Sequence, residues 1–329
     1  MKVAVFSTKP YERTYLEKLN KGQHELVYFD AALDVNTTNL AIGYEAVCVF
    51  VGDKLDKETI IKLSKIGIRL IDLRCTGYNN VDIKAATEQN ITVLRVPAYS
   101  PQAVAEHAVA LILTLNRKTH KTYNRVREGN FSLENLTGFN LYGKTVGVIG
   151  TGKIGTAFCN IMLGFGCKVI AYDIKEIDAL RTKGVEYRSL VEVLHHSDIV
   201  SLHCPLTPET KYIFDSSAFS KMKKGAMLIK TSRGGLIKTD DAIKALRSGH
   251  LGYLGIDVYE QEENLFFKDL TESLIQDDVI ERLMSFHNVL ITPHQGFFTQ
   301  EALDQIAIKT LQNFSDFESG ILSDNQVIS

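Results

Sequence analysis

No stretch of this chain is apolar for long enough to cross a membrane. Across 329 residues, 45% of them hydrophobic, no run approaches the ~18–20 uninterrupted apolar residues that a spanning helix needs. An excess of one charge is also missing. Thirty-seven Lys and Arg against 39 Asp and Glu leave a formal charge of −2. The basic residues form no block, which argues against a nucleic-acid partner held through its phosphates. Cysteine is sparse. Cys48, Cys75, Cys159, Cys167 and Cys204 form no C-x-x-C pair and no Cys/His cluster, so no metal site is expected. The adjacent His195 and His196 point in different directions on a helix and read as two solvated side chains. An odd thiol count suggests reduced cysteines in a cytoplasm. The opening Met1-Lys-Val-Ala-Val-Phe-Ser-Thr is apolar for too short a run to be a signal peptide and reads as a first strand. Low-complexity linkers and short-period repeats are absent.

What is present is a steady alternation of apolar strand-like runs with helical patterns, the signature of doubly wound parallel α/β architecture. Strands are expected at 2–7, 25–29, 46–51, 69–73 and 92–96. A second set is expected at 146–149, 168–172, 199–203, 227–230, 253–256 and 289–292. Between the sets, Ser100 can cap a helix and Pro101 fits its first turn. Val104, Ala108, Leu111, Ile112 and Leu115 then share one face. A last helix is expected over 301–317, with Leu303, Ile306, Ala307 and Leu311 on one side. Two domains follow from this order: residues 1–99 plus 297–329 form one, and 100–296 form an inserted cofactor domain.

The most specific motif opens that inserted domain. The run Val146–Ile149 ends in Gly150-Thr-Gly152-Lys153-Ile154-Gly155, the spacing G-x-G-x-x-G. Gly150 permits the tight turn, Gly152 lets the backbone approach a pyrophosphate, and Gly155 lets helix and strand pack closely. The helix start offers free N–H groups and a partial positive charge to the phosphates. A second strand ends at Asp173, 23 residues after Gly150, where a ribose-binding carboxylate belongs. An acid there repels a 2′-phosphate, so NAD is expected rather than NADP.

Ligands of a doubly wound sheet bind outside the carboxyl ends of its strands. Cys204-Pro205 follow the third strand of the inserted domain, Thr231-Ser232-Arg233 the fourth, Asp257, Glu260 and Glu262 the fifth, and Pro293-His294 the sixth. One sheet edge thus gathers a guanidinium, several carboxylates and an imidazole. Reduction of a ketone by a nicotinamide leaves an alkoxide that needs a proton, and histidine is the usual donor near neutral pH. An arginine can clamp a substrate carboxylate with two hydrogen bonds.

With Arg74-Cys-Thr-Gly-Tyr-Asn-Asn-Val-Asp82, Val96-Pro-Ala-Tyr-Ser-Pro101, the glycine motif, His203-Cys-Pro-Leu-Thr207, Thr231-Ser-Arg-Gly-Gly235, Asp257-Val-Tyr-Glu-Gln-Glu262 and Thr292-Pro-His294, nearly the whole chain resembles the D-isomer-specific 2-hydroxyacid dehydrogenases. Within that family it is most similar to the bacterial D-lactate-forming members. The resemblance implies a Rossmann-type NAD domain inserted into a flavodoxin-like substrate domain. It also implies reversible NADH-dependent reduction of pyruvate to D-lactate, with a bulkier 2-keto acid or a non-catalytic NAD(H) sensor as alternatives. Arg233 then orients the substrate, His294 is the acid/base, and Glu262 holds the histidine protonated, with Glu260 and Glu263 as competing acids. Thr76 and Gly77 offer backbone donors to the substrate carboxylate, and Tyr99 a pocket wall or a hydroxyl donor. Gly150, Gly152, Lys153, Ile154, Gly155, Asp173, Cys204, Pro205, Thr210, Thr231, Ser232, Arg233 and Asp257 line the cofactor. Relatives form dimers or tetramers. Gln295-Gly296-Phe297-Phe298 departs from the smaller residues and tyrosine of many relatives, which leaves the exact keto acid open.

Overall fold

The computed structural model describes residues 1–262 and 265–328. Packing divides the chain into two compact units: Met1–Ser100 with the segment from Phe297 onward, and Pro101–Gly296.

The first unit is built on strands β1 (Lys2–Val5), β2 (Glu25–Tyr28), β3 (Ala46–Val49), β4 (Leu70–Leu73) and β5 (Thr92–Arg95). They pair in parallel in the order β2-β1-β3-β4-β5, which is the flavodoxin-like order. Helices α1 (Pro10–Asn20), α2 (Lys57–Lys65) and α3 (Ile83–Glu88) make the crossovers. Asp56 and Asp82 cap α2 and α3 by accepting from the N–H three residues on. The central strands are buried on both faces, so they read as near-continuous apolar runs rather than alternating ones, with Asp72 the one polar residue within β4. The C-terminal helix lies in this unit, as the apolar face of 301–317 requires. It is longer than the pattern suggested, spanning Gln300–Glu318, and Ala307, Leu311 and Phe314 join the core around Val3, Val5 and Leu70.

The second unit begins with α4 (Pro101–Arg117) and α5 (Thr119–Arg127). It continues through β6 (Thr145–Ile149), α6 (Lys153–Gly164), β7 (Lys168–Tyr172), α7 (Asp178–Thr182), β8 (Glu186–Tyr187), α8 (Leu190–His196), β9 (Ile199–Leu202), α9 (Ser216–Lys221), β10 (Ala226–Lys230), α10 (Thr239–Arg247), β11 (Leu251–Ile256), α11 (Asp278–Met284) and β12 (Val289–Ile291). Its sheet runs β12-β11-β10-β9-β6-β7-β8. Counted from β6, that is the Rossmann order 3-2-1-4-5-6 with one strand more, and β6 and β9 flank the point where the order reverses. The expected apolar face of α4 is buried: Val104 is closed off from solvent, and Ala108, Leu111, Ile112 and Leu115 pack with Val148, Phe158 and Ile229. Burying each of the Leu and Ile side chains contributes about 1.5–3 kcal/mol. The two-residue strand β8 has no counterpart in the apolar pattern.

Parallel register aligns the strand ends. Tyr172 pairs with Ile149, Ile149 with Leu202, Leu202 with Lys230, Lys230 with Ile256, and Ile256 with Ile291. The residues that follow these ends therefore emerge side by side.

Candidate active site

At the β6 end, Gly150 takes a left-handed conformation (φ +91°) that an L side chain resists, and its carbonyl packs against Gly155. A Cβ on Gly150 would lie 2.5 Å from the Cys204 nitrogen, and one on Gly155 only 2.0 Å from the Gly150 oxygen. Protein packing alone explains both glycines. Gly152 differs: a Cβ there would meet nothing within 4 Å. It stands at the N-cap of α6, so its lack of a side chain leaves open the space where helix N–H groups face an anion. Lys153 and Ile154 begin that helix.

Asp173 follows β7. Its carboxylate reaches back to the glycine turn. Oδ2 accepts from the N–H and the hydroxyl of Thr151, and Oδ1 accepts from the Lys175 N–H. The Tyr187 hydroxyl, from β8, donates to Thr151 Oγ1 at 3.0 Å. Asp173 thus organises the glycine turn while keeping acceptor capacity on its oxygens. After β9, the half-buried His203 packs against Phe158 and is hydrogen-bonded to Ser201. Burial holds it neutral, with a pKa lowered to about 3. Thr210 closes the following turn by donating to the Pro205 carbonyl (2.7 Å) and accepting from the Thr207 N–H (2.8 Å).

After β10, Thr231 Oγ1 and Ser232 Oγ are buried without a hydrogen-bond partner among the described residues. Buried hydroxyls left so are unusual, and their place at the sheet edge suits a polar cofactor group. The Arg233 guanidinium donates from Nη1 to the Ser232 carbonyl at 2.8 Å. No carboxylate among the described residues pairs with it. Beneath this turn, Lys230 is only 2% exposed and donates to the Gly234 carbonyl at 3.1 Å. Burial pulls its pKa down to about 8, against the opposing pull of Glu262 and Glu260. Gly234 lets this turn lie on the next one: a Cβ would sit 2.2 Å from the Tyr259 oxygen.

The segment after β11 separates the candidate acids. Glu260 is spent on structure, accepting from the Tyr212 hydroxyl and from the side chain and N–H of Thr239, at the start of α10. Glu262 Oε2 accepts from the Tyr259 N–H (3.2 Å), while Oε1 lies 3.2 Å from His294 Nδ1. Glu263 lies outside the described residues. Both partners of the Glu262–His294 contact are partly accessible, at 24% and 19%. With Nδ1 so engaged, Nε2 is the ring nitrogen left to exchange a proton with a ligand. His294 has a left-handed backbone (φ +57°), a conformation costing about 1 kcal/mol or more for a residue with a side chain. Its N–H donates to the carbonyls of Asp257 (2.8 Å) and Thr292 (3.0 Å), which holds that geometry.

Asp257, expected at the nicotinamide, is 1% exposed. Its carboxylate is engaged beneath the His294 turn, accepting from Gln295 N–H (2.9 Å), Gly296 N–H (2.8 Å) and the Thr292 hydroxyl. His107 Nε2 lies 3.2 Å from the same carboxylate. Burial opposes the charge, but the His107 and Thr292 hydrogen bonds, the His107 ring and Gly296 N–H hold its pKa below the ordinary value. Neither His107 nor Lys230 stood out in the sequence. His107 did carry a signal: it interrupts the buried stripe of α4 between Val104 and Leu111.

In the first unit, the N–H groups of Thr76 and Gly77 have no acceptor among the described residues. The Thr76 carbonyl is held by Arg95 at 2.8 Å. Phe297 is buried with its ring 6.1 Å from Tyr99 and 6.3 Å from Phe50. The partly exposed Phe298 packs edge-on to Tyr11 at 4.7 Å.

Residues 109–296 match the family model for the NAD binding domain of D-isomer specific 2-hydroxyacid dehydrogenases. The chain belongs to that family. D-lactate dehydrogenase of Escherichia coli is 50% identical over 329 residues, covering 100% of both chains. The apo structure of D-lactate dehydrogenase from E. coli superposes with a TM-score of 0.92 at 48% identity, covering 100% of both. A D-lactate dehydrogenase from Aquifex aeolicus, solved with NAD and lactic acid, gives 0.88 at 34% identity and 99% of both. The chain is accordingly an NAD-dependent oxidoreductase acting on 2-hydroxy acids. The open space at Gly152 and the unpartnered hydroxyls of Thr231 and Ser232 fit the cofactor.

Proposed function

We propose that the protein interconverts pyruvate and D-lactate, with Arg233, Glu262 and His294 as its catalytic residues. The observation that carries this reading is the Glu262–His294 contact, 3.2 Å long, on the same sheet edge as a guanidinium that no carboxylate among the described residues pairs with. In the reducing direction His294, protonated, gives the Nε2 proton to the carbonyl oxygen as charge develops there. Glu262 fixes the ring orientation and balances the charge of the protonated ring. Arg233 clamps the substrate carboxylate and helps polarise the neighbouring carbonyl. NADH, when bound, supplies the hydride to the carbonyl carbon. In the oxidising direction neutral His294 takes the hydroxyl proton. Thr76 and Gly77, whose N–H groups have no acceptor among the described residues, are carboxylate donors in this reading, and Tyr99 is a pocket wall. Asp173 favours NAD over NADP, since a carboxylate repels a 2′-phosphate.

Burial of the Phe297 ring against Phe50 and Tyr99 supports a small keto acid over a bulky one. NADH consumption against a panel of 2-keto acids, with chiral analysis of the product, tests the assignment. The highest kcat/KM is expected for pyruvate and the product is expected to be D. A preference for a branched or aromatic keto acid, or an L product, overturns it. No helix among the described residues is long and apolar enough to cross a membrane, and all five cysteines are free and buried, which supports action in the cytoplasm. Exposed Tyr123, Phe131, Leu133 and Tyr142 support self-association through the second unit, checked by the mass of the particle in solution.

A further inference from the structure

His107 takes no part in the chemistry described so far, yet it is the furthest element of a chain of contacts that ends at His294. Its ring is 14% exposed, and Nε2 lies 3.0 Å from Thr292 Oγ1 and 3.2 Å from Asp257 Oδ1. The Thr292 hydroxyl already donates to Asp257 Oδ1, so its oxygen is an acceptor toward the imidazole. Both acceptors therefore call for a proton on Nε2 of His107. Asp257 passes the constraint on. Its two oxygens accept from the N–H groups of Gln295 and Gly296, the two residues after His294, and its own carbonyl accepts from the His294 N–H. Gly296 is glycine for the same reason: a Cβ would meet Asp257 Oδ2 at 2.9 Å and His107 Cδ2 at 3.4 Å. The left-handed backbone of His294 is thus fixed from both sides by a carboxylate that His107 orients.

We propose that His107 is a positioning residue for proton transfer by His294, acting through Asp257 and Thr292. This rests on the reading of His294 as the acid/base. A buried pair that served stability alone would change the folded fraction and leave the folded enzyme's chemistry intact. A positioning role would slow the proton-transfer step in enzyme that is folded and binds cofactor normally. In His107→Leu, single-turnover NADH oxidation with pyruvate is expected to fall by about tenfold or more, since small misplacements of a reacting group cost rates of this order. NADH affinity should stay within about threefold, because the phosphate cradle lies four strands away at β6. The solvent deuterium isotope effect is expected to rise as proton transfer becomes slower than the other steps. In His107→Gln, whose amide N–H can take the place of Nε2–H, most of the rate should return.

Should His107→Leu fail to fold, Thr292→Val removes another member of the network at similar volume and is read the same way. A wild-type single-turnover rate and isotope effect in the Leu or Val variant overturns the proposal. So do equal losses in His107→Leu and His107→Gln that follow only the folded fraction. His294→Gln is the reference. If it keeps wild-type turnover, the acid/base reading itself fails. If it is inactive while His107→Leu is unaffected, only the role of His107 fails.

Discussion

Gly152→Ala should separate cofactor binding from folding. The conformation at Gly152 has a negative φ (−58°), open to any L-residue, and its added methyl would meet no protein atom within 4 Å. Alanine at an N-cap costs up to about 1 kcal/mol relative to glycine. The stiffer unfolded chain returns about 0.4–1 kcal/mol. The melting temperature is therefore expected to stay within a few degrees of wild type. The methyl does project into the space that the proposed cofactor phosphates would occupy at the start of α6. Displacing them so that one charge-assisted N–H bond is lost costs about 1.5–3 kcal/mol, which at 1.4 kcal/mol per decade is about 12- to 150-fold in Kd. Gly155→Ala is the control with the opposite signature. Its Cβ would lie 2.0 Å from the Gly150 backbone oxygen, so the turn itself must shift, at about 1–3 kcal/mol or more of stability. Fluorescence titration with NADH and thermal melts of both variants decide the matter. If Gly152→Ala binds NADH within threefold of wild type, or melts as early as Gly155→Ala, the assignment of that open space to the cofactor is wrong.

The two acids after β11 should behave differently. Glu262→Gln is expected to lower kcat with pyruvate by about 10²-fold or more, the usual scale for general acid–base catalysis. Glu260→Gln should chiefly lower the melting temperature, since it loosens Tyr212 and Thr239; the reverse pattern would exchange their roles. Asp72→Asn tests the buried carboxyl of β4, whose pKa is raised from 3.8 to about 7 by burial, against the Asn313 hydrogen bond and the Arg74 charge. In wild type the folded state keeps this proton after the unfolded chain has lost it, so the associated stability is full below about pH 4 and gone by about pH 7. Urea unfolding should thus show the variant gaining on wild type by on the order of 4 kcal/mol between those limits, and a difference independent of pH would refute the argument. Asp173→Asn should narrow the preference for NADH over NADPH by about tenfold or more as the repulsion of the 2′-phosphate is lost, seen as a fall in the ratio of their kcat/KM values.

Parallel strands buried on both faces announce themselves as short apolar runs, which is why β6, β7, β9 and β10 were readable almost to the residue. Strand β8, two residues at a sheet edge, offers no such run: Tyr187 is placed by its pairing with Ala171 and its hydrogen bond to Thr151. The family motifs pointed to Glu262 and His294, but three acids within four residues were chemically equivalent on paper. What separated Glu260 from Glu262 was the side chains each could reach, Tyr212 and Thr239 against His294. His107 was harder still. One histidine in an apolar helix face is usually core, and its partner Thr292 lies 185 residues away, beyond any local pattern.

The register of the sheet explains why aspartates at two strand ends turn toward a neighbouring loop. Asp173 follows β7, whose last residue pairs with the last residue of β6, and its carboxylate takes the Thr151 N–H in the turn after β6. Asp257 follows β11, whose last residue pairs with that of β12, and its carboxylate takes the Gln295 and Gly296 N–H groups in the turn after β12. In each case one strand spacing, about 4.8 Å, separates the acid from the turn it organises. That is within reach of a short carboxylate and leaves little freedom to miss. Strand ends in parallel register leave backbone N–H groups unpaired on one edge, and a carboxylate satisfies them more strongly than a neutral acceptor. The glycine turn after β6 and the turn that carries His294 are therefore held by one device at positions far apart on the same edge. Both turns are set before a ligand arrives, as electrostatic stabilisation of a developing charge requires.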